Sequence, residues 1–420
     1  MLFRKIAGGL VLWWVLAAAD TAADWVRQGQ AYKAKGDAAA ALQAFEKALA
    51  LDPKSPQIED EVGFILAATN RRDEAIAHFE KAIQLDARFA PAHYHLGVAY
   101  WLGQDPNRSI PELEAAVKLR PADGDYRYRL GSAYNSVGHH EQAVRELAEA
   151  VKQQPKNAAI WNEFGLAQQK SGDLPKAVES YRRAVELDPK NADAHNNLGL
   201  VLVSTREADA AVVQFQKVLE LEPANTMARV NIGFAYLQKA DLDKAVAQFK
   251  AVLADHPDLA IAHYDLGVAL KQKDDLEAAQ KELKRALDLD PELADAHYTL
   301  GIIYWQSGDF ENTVEHMQAA VRLRPDYQQA YYMLGTALKQ KGDPEGAITA
   351  LKEAIRLNAD DPGPYNTLAQ ILRQKGDVEG SKAAFAEGAK AKARIDARSA
   401  DLLRGKKQES GSQGVKEPRR

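Results

Sequence analysis

The chain has 420 residues, no cysteine, 27% charged residues, 46% apolar residues and a net charge of −5. This is the composition of a folded protein, not a disordered one. The missing thiols exclude a disulfide framework, a thiolate metal site, a cysteine nucleophile and a lipidated N-terminal cysteine, and the acidic balance gives no footprint for nucleic acid. The chain opens with Arg4-Lys5, an apolar run from Ile6 to Ala19, and Ala17-Ala18-Ala19 before Asp20. A charged start, a short apolar middle and a small-residue exit make residues 1–19 a secretory signal peptide, or an N-terminal anchor if it is retained. The apolar run of about 14 residues is short of the ~20 that a spanning helix needs. The mature N-terminus is expected between Asp20 and Asp24, with Ala22-Ala23 as a second cleavage point. Export would place the protein in a bacterial periplasm or cell envelope; retention of the segment would leave it anchored in the inner membrane.

From Ala22 to Ile395 one 34-residue frame runs eleven times without an insertion or deletion. In the copy 158–191, Trp161, Gly165, Ala177, Tyr181, Ala184 and Pro189 mark positions 4, 8, 20, 24, 27 and 32. Position 8 is Gly in ten copies, from Gly29 to Gly335, and Ala369 in the last; position 32 is Pro in eight. Each copy reads as two helices joined by a turn, with apolar residues at helical spacing, as in Leu198, Leu202, Ala211, Phe215 and Val218. A helical Gly costs roughly 1 kcal/mol against Ala, so its recurrence implies that a neighbouring helix comes close. Small residues at positions 20 and 27 face that approach, and the large residue at position 24 fills the space beside them. Proline at position 32 ends the second helix. The pairs Gly36-Asp37, Gly172-Asp173, Gly308-Asp309, Gly342-Asp343 and Gly376-Asp377 suit a C-cap followed by an N-cap.

This period and these residues resemble the tetratricopeptide repeat family over about nine-tenths of the chain. The resemblance implies an all-α fold, a right-handed α-solenoid (superhelix) of about eleven helix-turn-helix repeats spanning 22–395, with more than one superhelical turn. Some copies depart from the pattern. In the third, Pro111 falls inside the second helix, and Ser109 with Glu112 offers a capping box. That helix is therefore expected to start near Ile110 and to be the shortest of its kind. The sixth copy has Arg206-Glu207 in its turn, and the eleventh decays to Ala369, Ser381 and Gly388. Residues 396–404 read as a capping extension, with Ile395, Leu402 and Leu403 over the last open face. Residues 405–420 lack apolar periodicity and read as a disordered basic tail.

Candidate chemistry is sparse. His93, His195, His263 and His297 all occupy position 4, where Trp25 and Trp161 stand in other copies, so they read as helix-packing residues. His93 and His95 form an H-x-H pair that a helix would point apart, and His139-His140 falls in a turn. No catalytic residue, metal site or cofactor is expected. The resemblance implies that the first helix of each pair lines an inner groove, faced by positions 2, 5, 6, 9, 12 and 13. The candidates there are Tyr94, Tyr128, Tyr264, Tyr298 and Tyr332 at position 5, Trp101 and Trp305 at position 12, Asn162 and Asn196 at position 5, and Asn197 and Asn231 at position 6. Aromatic rings supply apolar area at little entropy cost, and Asn amides bond an extended backbone; alternatively, the tyrosines pack on the next copy. Lys at position 5 and Asn at position 9, which clamp a terminal carboxylate in some family members, are missing. The asparagine ladder of sugar-transferase relatives is limited to Asn197 and Asn231.

The expectation is a non-enzymatic scaffold or adaptor that binds a protein or peptide segment in its groove. The alternative is an accessory of polysaccharide or cell-wall export, with the groove aromatics stacking sugar rings. Membrane contact is expected only if the N-terminal segment is retained. Trp305→Ala should then spare stability, because position 12 faces the open groove, whereas Gly301→Leu should overpack.

Overall fold

A computed structural model describes residues 21–412, with the backbone alone over 401–412. The expected signal segment, and residues 413–420 of the tail, lie outside the described residues. Twenty-two helices follow one another, divided between two compact units that meet in sequence at Glu207 and Ala208. The first unit holds α1 (Ala22–Ala34), α2 (Ala38–Leu51), α3 (Pro56–Ala68), α4 (Arg72–Leu85), α5 (Ala90–Leu102) and α6 (Pro106–Leu119). It continues with α7 (Gly124–Ser136), α8 (His140–Gln153), α9 (Ala158–Lys170), α10 (Leu174–Leu187) and α11 (Ala192–Ser204). The second holds α12 (Ala208–Leu221), α13 (Thr226–Gln238), α14 (Leu242–Asp255), α15 (Ala260–Gln272), α16 (Leu276–Leu289) and α17 (Ala294–Gln306). After these come α18 (Phe310–Leu323), α19 (Gln328–Lys341), α20 (Pro344–Leu357), α21 (Pro362–Gln374) and α22 (Val378–Ser412). No strand occurs among the described residues. The chain is an α-solenoid of helix pairs.

The pairs are locked by position 8 against position 24. A Cβ built on Gly29, Gly63, Gly165 or Gly233 would stand 2.6–2.8 Å from the ring of Phe45, Phe79, Tyr181 or Phe249. Those four rings are at most 1% exposed. The side chain facing the Gly is thus the position 24 residue itself, with the alanines of positions 20 and 27 packed around it. Clusters of this kind recur along each unit, joining each copy to the next.

The turn between paired helices is the same in all eleven copies. Position 15 takes a left-handed conformation whether it is Gly, as at Gly36 (φ 77°), or not, as at Ala240 (φ 59°) and Asp274 (φ 64°). The next residue caps the second helix wherever it is Asp. Asp37, Asp105, Asp173, Asp241, Asp275, Asp309, Asp343 and Asp377 each accept a bond from the backbone N–H three residues on. At Asn70, Gln104, Arg206, Ala240 and Asp274 the turn is held by packing and caps at the expense of backbone strain.

Four sequence expectations are corrected. Helix α6 is not short: it starts at Pro106 under the Asp105 cap and spans 14 residues like α2, α4, α8 and α10. Pro111 removes one hydrogen bond, but it and Asn107, whose carbonyl loses its donor, are both exposed, so water can replace the bond. Ser109 and Glu112 form no capping box; the Ser109 hydroxyl donates to the Gly97 carbonyl at 2.8 Å and Glu112 turns to His93. Finally, α22 continues through 396–404 and past Gly405 to Ser412, so 405–412 are helical and not disordered. The stretch Lys406–Glu409 consists of good helix formers that extend a helix already begun. Its anchor is polar: Arg394 and Arg398 both pair with Asp360, at 2.6 and 2.9 Å. Ile395 does not cover the last apolar face; it is 41% exposed, as is Phe385.

Candidate functional site

Position 4 carries a hydrogen-bond donor whose target is the turn between copies. Ring or guanidinium nitrogens of His93, Arg127, Trp161, His195, Arg229, His263 and His297 lie 2.7–3.2 Å from the position 32 carbonyl six residues earlier. This explains why His, Trp and Arg alternate there: each offers an N–H at the end of a flat group. In three copies the opposite edge meets a Glu at position 23, as His93–Glu112, Arg127–Glu146 and His263–Glu282, each at 2.6 Å. The bond to Glu112 raises the His93 pKa.

Histidine takes position 23 in two other copies: His78 bonds Glu59 of position 4 at 2.6 Å, and the Nδ1 atoms of His297 and His316 are 2.9 Å apart. The Nε2–H of His297 donates to the Pro291 carbonyl, so its Nδ1 accepts and His316 donates. Burial, and then the neighbouring imidazole, lower the His316 pKa to about 4, so this pair is neutral. The H-x-H pair points apart as expected: His95 turns from His93 to bond Asp60 at 2.8 Å. His139 is exposed, and His140 is half-buried against Asn135. No group of three metal-ligating side chains occurs among the described residues.

The inner face of each unit follows from helix adjacency. Successive first helices touch one another, α3 with α5, α5 with α7, α7 with α9 and α9 with α11 in the first unit. In the second unit α13 with α15, α15 with α17 and α19 with α21 do the same. All eleven candidate residues are half-buried. Tyr94 stacks on Tyr126 of the next copy with ring centroids 4.5 Å apart, and Tyr298 meets Tyr327 at 4.8 Å. Burial raises the phenol pKa of both Tyr94 and Tyr298. Tyr94 thus packs on the next copy and Tyr298 on the N-cap residue just before the next copy's first helix, and both are half-buried. Tyr94, Trp101 and Tyr128 border one apolar cluster, and Tyr298, Trp305 and Tyr332 another; Tyr264 borders a third.

Trp305 is half-buried. Its ring centroid lies 5.1 Å from that of Phe310, so truncation would cost packing. The guanidinium of Arg129 sits over one face of Trp101, 4.9 Å from its centroid, while Trp101 also lines a cavity of about 220 Å³. Asn197 donates to Asn162 at 3.1 Å. The amides of Asn196 and Asn231 have no hydrogen-bond partner among the described residues. A cavity of about 670 Å³ opens at the start of the first unit between Val26, Ile58, Asp60 and His95.

Two polar groups on the inner faces were missed by sequence reasoning. Arg129, at position 6, lies among three candidate aromatics. Asp265, also at position 6, is only 6% exposed, has no hydrogen-bond partner among the described residues, and is pushed up to about 7 by burial. The frame carried no distinguishing signal, because position 6 is charged in other copies too, as at Arg27, Glu61 and Glu163.

Family models described as TPR repeat or tetratricopeptide repeat match 22–55, 63–103, 103–158, 170–205, 202–273, 269–308, 298–362 and 332–397. No curated protein sequence matches the chain. Among solved structures, a tetratricopeptide repeat protein from Parabacteroides merdae ATCC 43184 aligns with a TM-score of 0.53 and 16% identity, covering 59% of this chain and 98% of that one. YrrB, described as a TPR protein with an unusual peptide-binding site, aligns over 44% of this chain and 96% of its own, at 24% identity and a TM-score of 0.42. Yeast Tom70 aligns over 92% and 99%, at 14% identity and a TM-score of 0.48.

Proposed function

The chain belongs to the tetratricopeptide repeat family, a family of protein-interaction scaffolds, and we propose that it is a non-enzymatic scaffold that holds a protein segment along its inner face. The observation that carries this reading is the half-buried amide of Asn196 in the first unit, which has no partner beside the bonded pair Asn162–Asn197. An amide offers both a donor and an acceptor, the complement of one peptide unit of an extended chain. Half-buried tyrosines on the same face would supply apolar contact beside it.

Sugar stacking has less support, because a stacked ring needs an open aromatic face. Arg129 covers one face of Trp101, and Phe310 crowds Trp305. The purified protein is expected to bind a defined subset of a short random-peptide array. Asn196→Ala should weaken that binding by about tenfold, the worth of one hydrogen bond at ~1–1.5 kcal/mol, with its melting temperature unchanged. Oligosaccharide binding in place of peptide binding would overturn the reading.

We further propose that the protein works in the cell envelope after export. The start of α1 supports a particular processing point. Thr21 caps that helix through a reciprocal box with Asp24, its hydroxyl accepting from the Asp24 N–H at 3.2 Å. Cleavage before Asp20 keeps the cap, whereas cleavage at Ala22-Ala23 removes it at a cost of about 1 kcal/mol. N-terminal sequencing of the exported protein should therefore begin at Asp20 or Thr21; an intact Met1 in the membrane fraction would favour the anchor.

A further inference from the structure

The side-chain atoms that are buried and lack a hydrogen bond among the described residues are Arg129 Nε and Ser132 Oγ. They lie three residues apart on α7, and so on one face of that helix. Ser132 is 8% exposed. The Arg129 guanidinium is 4.9 Å from the Trp101 ring centroid and 5.6 Å from that of Tyr128, and no carboxylate pairs with it among the described residues. Beside Ser132 a cavity of about 220 Å³ is lined by Trp101, Asn135, Glu163, Leu166 and Lys170. The frame explains the space: position 9 holds Val98 and Leu166 in the flanking copies, and serine leaves it unfilled.

Buried donors without partners are uncommon because each loses its hydration for nothing. Here two occur one helical turn apart on the face assigned to ligand, and Ser132 and Lys170 line the cavity beside them. We propose that this site receives the side-chain carboxylate of an Asp or Glu in the bound segment. The proposal rests on the peptide-groove reading and names one of its contacts. A planar guanidinium presents its N–H groups in the geometry that a carboxylate accepts, and the Ser132 hydroxyl adds a donor. Trp101 and Tyr128 flank the guanidinium and cut its exposure to water. A doubly charged phosphate fits less well. Glu163 stands on the cavity wall, its Oε1 accepting from Asn135 at 2.8 Å, and repels every negative charge brought in; Lys170 on the same wall and Arg129 offset that repulsion for a singly charged carboxylate, and a dianion doubles it.

The probe is an array of short peptides with amidated C-termini, in which each acidic residue also appears as its amide and as phosphoserine. The strongest binders are expected to contain an Asp or Glu whose conversion to Asn or Gln weakens binding by about tenfold, as for loss of a charge-assisted hydrogen bond. Arg129→Met should bring acidic and amide forms to equal affinity. Ser132→Val should do the same by filling the cavity as Val98 fills its own position. Ser132→Val should melt at or above the temperature of the parent, since it removes an unpaired buried hydroxyl and fills space, whereas Arg129→Met also loses the ring contacts on Trp101 and Tyr128 and should melt slightly below it; Ser132→Val is therefore the variant that separates a lost contact from a lost fold. Peptide binding with no acidic requirement, discrimination that survives Arg129→Met, or a preference for phosphoserine would overturn the proposal and leave the groove reading standing. An array with no binder of any composition would overturn both.

Discussion

Asp265→Asn is expected to match the parent in stability at about pH 4 and to exceed it at about pH 8, by at most on the order of 4 kcal/mol. Asp265 lies on α15, is 6% exposed, and has neither a cation nor a hydrogen-bond donor paired with it among the described residues. Burial alone lifts its carboxyl from 3.8 to about 7. The adjacent Tyr264 is pushed up to about 12, with burial as the main cause. The folded chain holds a proton that the unfolded chain releases between those two pH values. Stability from this group is therefore greatest below the unfolded pKa and falls as pH rises towards 7, where the carboxylate becomes charged without a partner. Asparagine removes the titration and keeps the shape. Carboxylates such as Asp295, held low by Arg324, act in the opposite direction and bend the raw curve. The quantity to follow is thus the difference between variant and parent in urea melts at several pH values. A difference that does not change with pH would mean that Asp265 is solvated or paired.

Much of the fold could be read from the chain because its signals are local and repeat. A helix boundary is set by a cap residue, a left-handed turn residue and the end of an apolar stripe, and the frame repeats them: Asp caps the second helix in eight copies and Gly takes the left-handed turn in six. Failures came where one rule was applied without its surroundings. Pro111 was given full weight as a helix breaker, yet one lost bond on a wet surface is cheap beside the burial of Leu113, Ala116 and Val117 on the other face. Gly405 was read as an end, although a helix already propagating needs no new nucleus.

The inner-face residues were legible as positions and not as contacts. The frame placed Trp101, Tyr128 and Tyr298 on the first helices, but it could not show that Arg129 lies over Trp101 or that Tyr298 meets Tyr327. The first joins one copy to the next and the second reaches the residue before the next copy's first helix, and both depend on how the helices cross. Position 4 makes the same point from the other side. Its histidines were rightly set aside as repeat positions, but the reason, a donor to the carbonyl before the next helix, needs the turn in three dimensions.

Position 8 supplies the sharpest test of how the helix pairs are held. Gly165→Ala is expected to destabilise by about 1–3 kcal/mol through overpacking, whereas Gly301→Ala should be close to neutral or stabilising. Both changes gain roughly 1 kcal/mol of helix propensity, so the sign depends on what the new methyl group meets. At Gly165 it meets the Tyr181 ring at 2.8 Å. That ring is 0% exposed, and its hydroxyl is fixed by a 2.9 Å bond to Gln169, so it cannot slide away. At Gly301 the contact is Met317 Cε at 2.7 Å, with the next atom at 3.4 Å. A thioether tip can rotate out of the way at little cost. The larger Gly301→Leu asks more of Met317, and its cost should fall below that of Gly165→Leu. The last copy already shows the pairing relaxed: Ala369 stands at position 8, and Phe385 at position 24 is 41% exposed where its counterparts in the other copies are buried. That copy also lacks a following repeat, so only the two engineered alanines isolate the effect. Equal destabilisation at both sites, read from denaturant melts, would show that the clash is with the backbone of the second helix and not with the side chain at position 24.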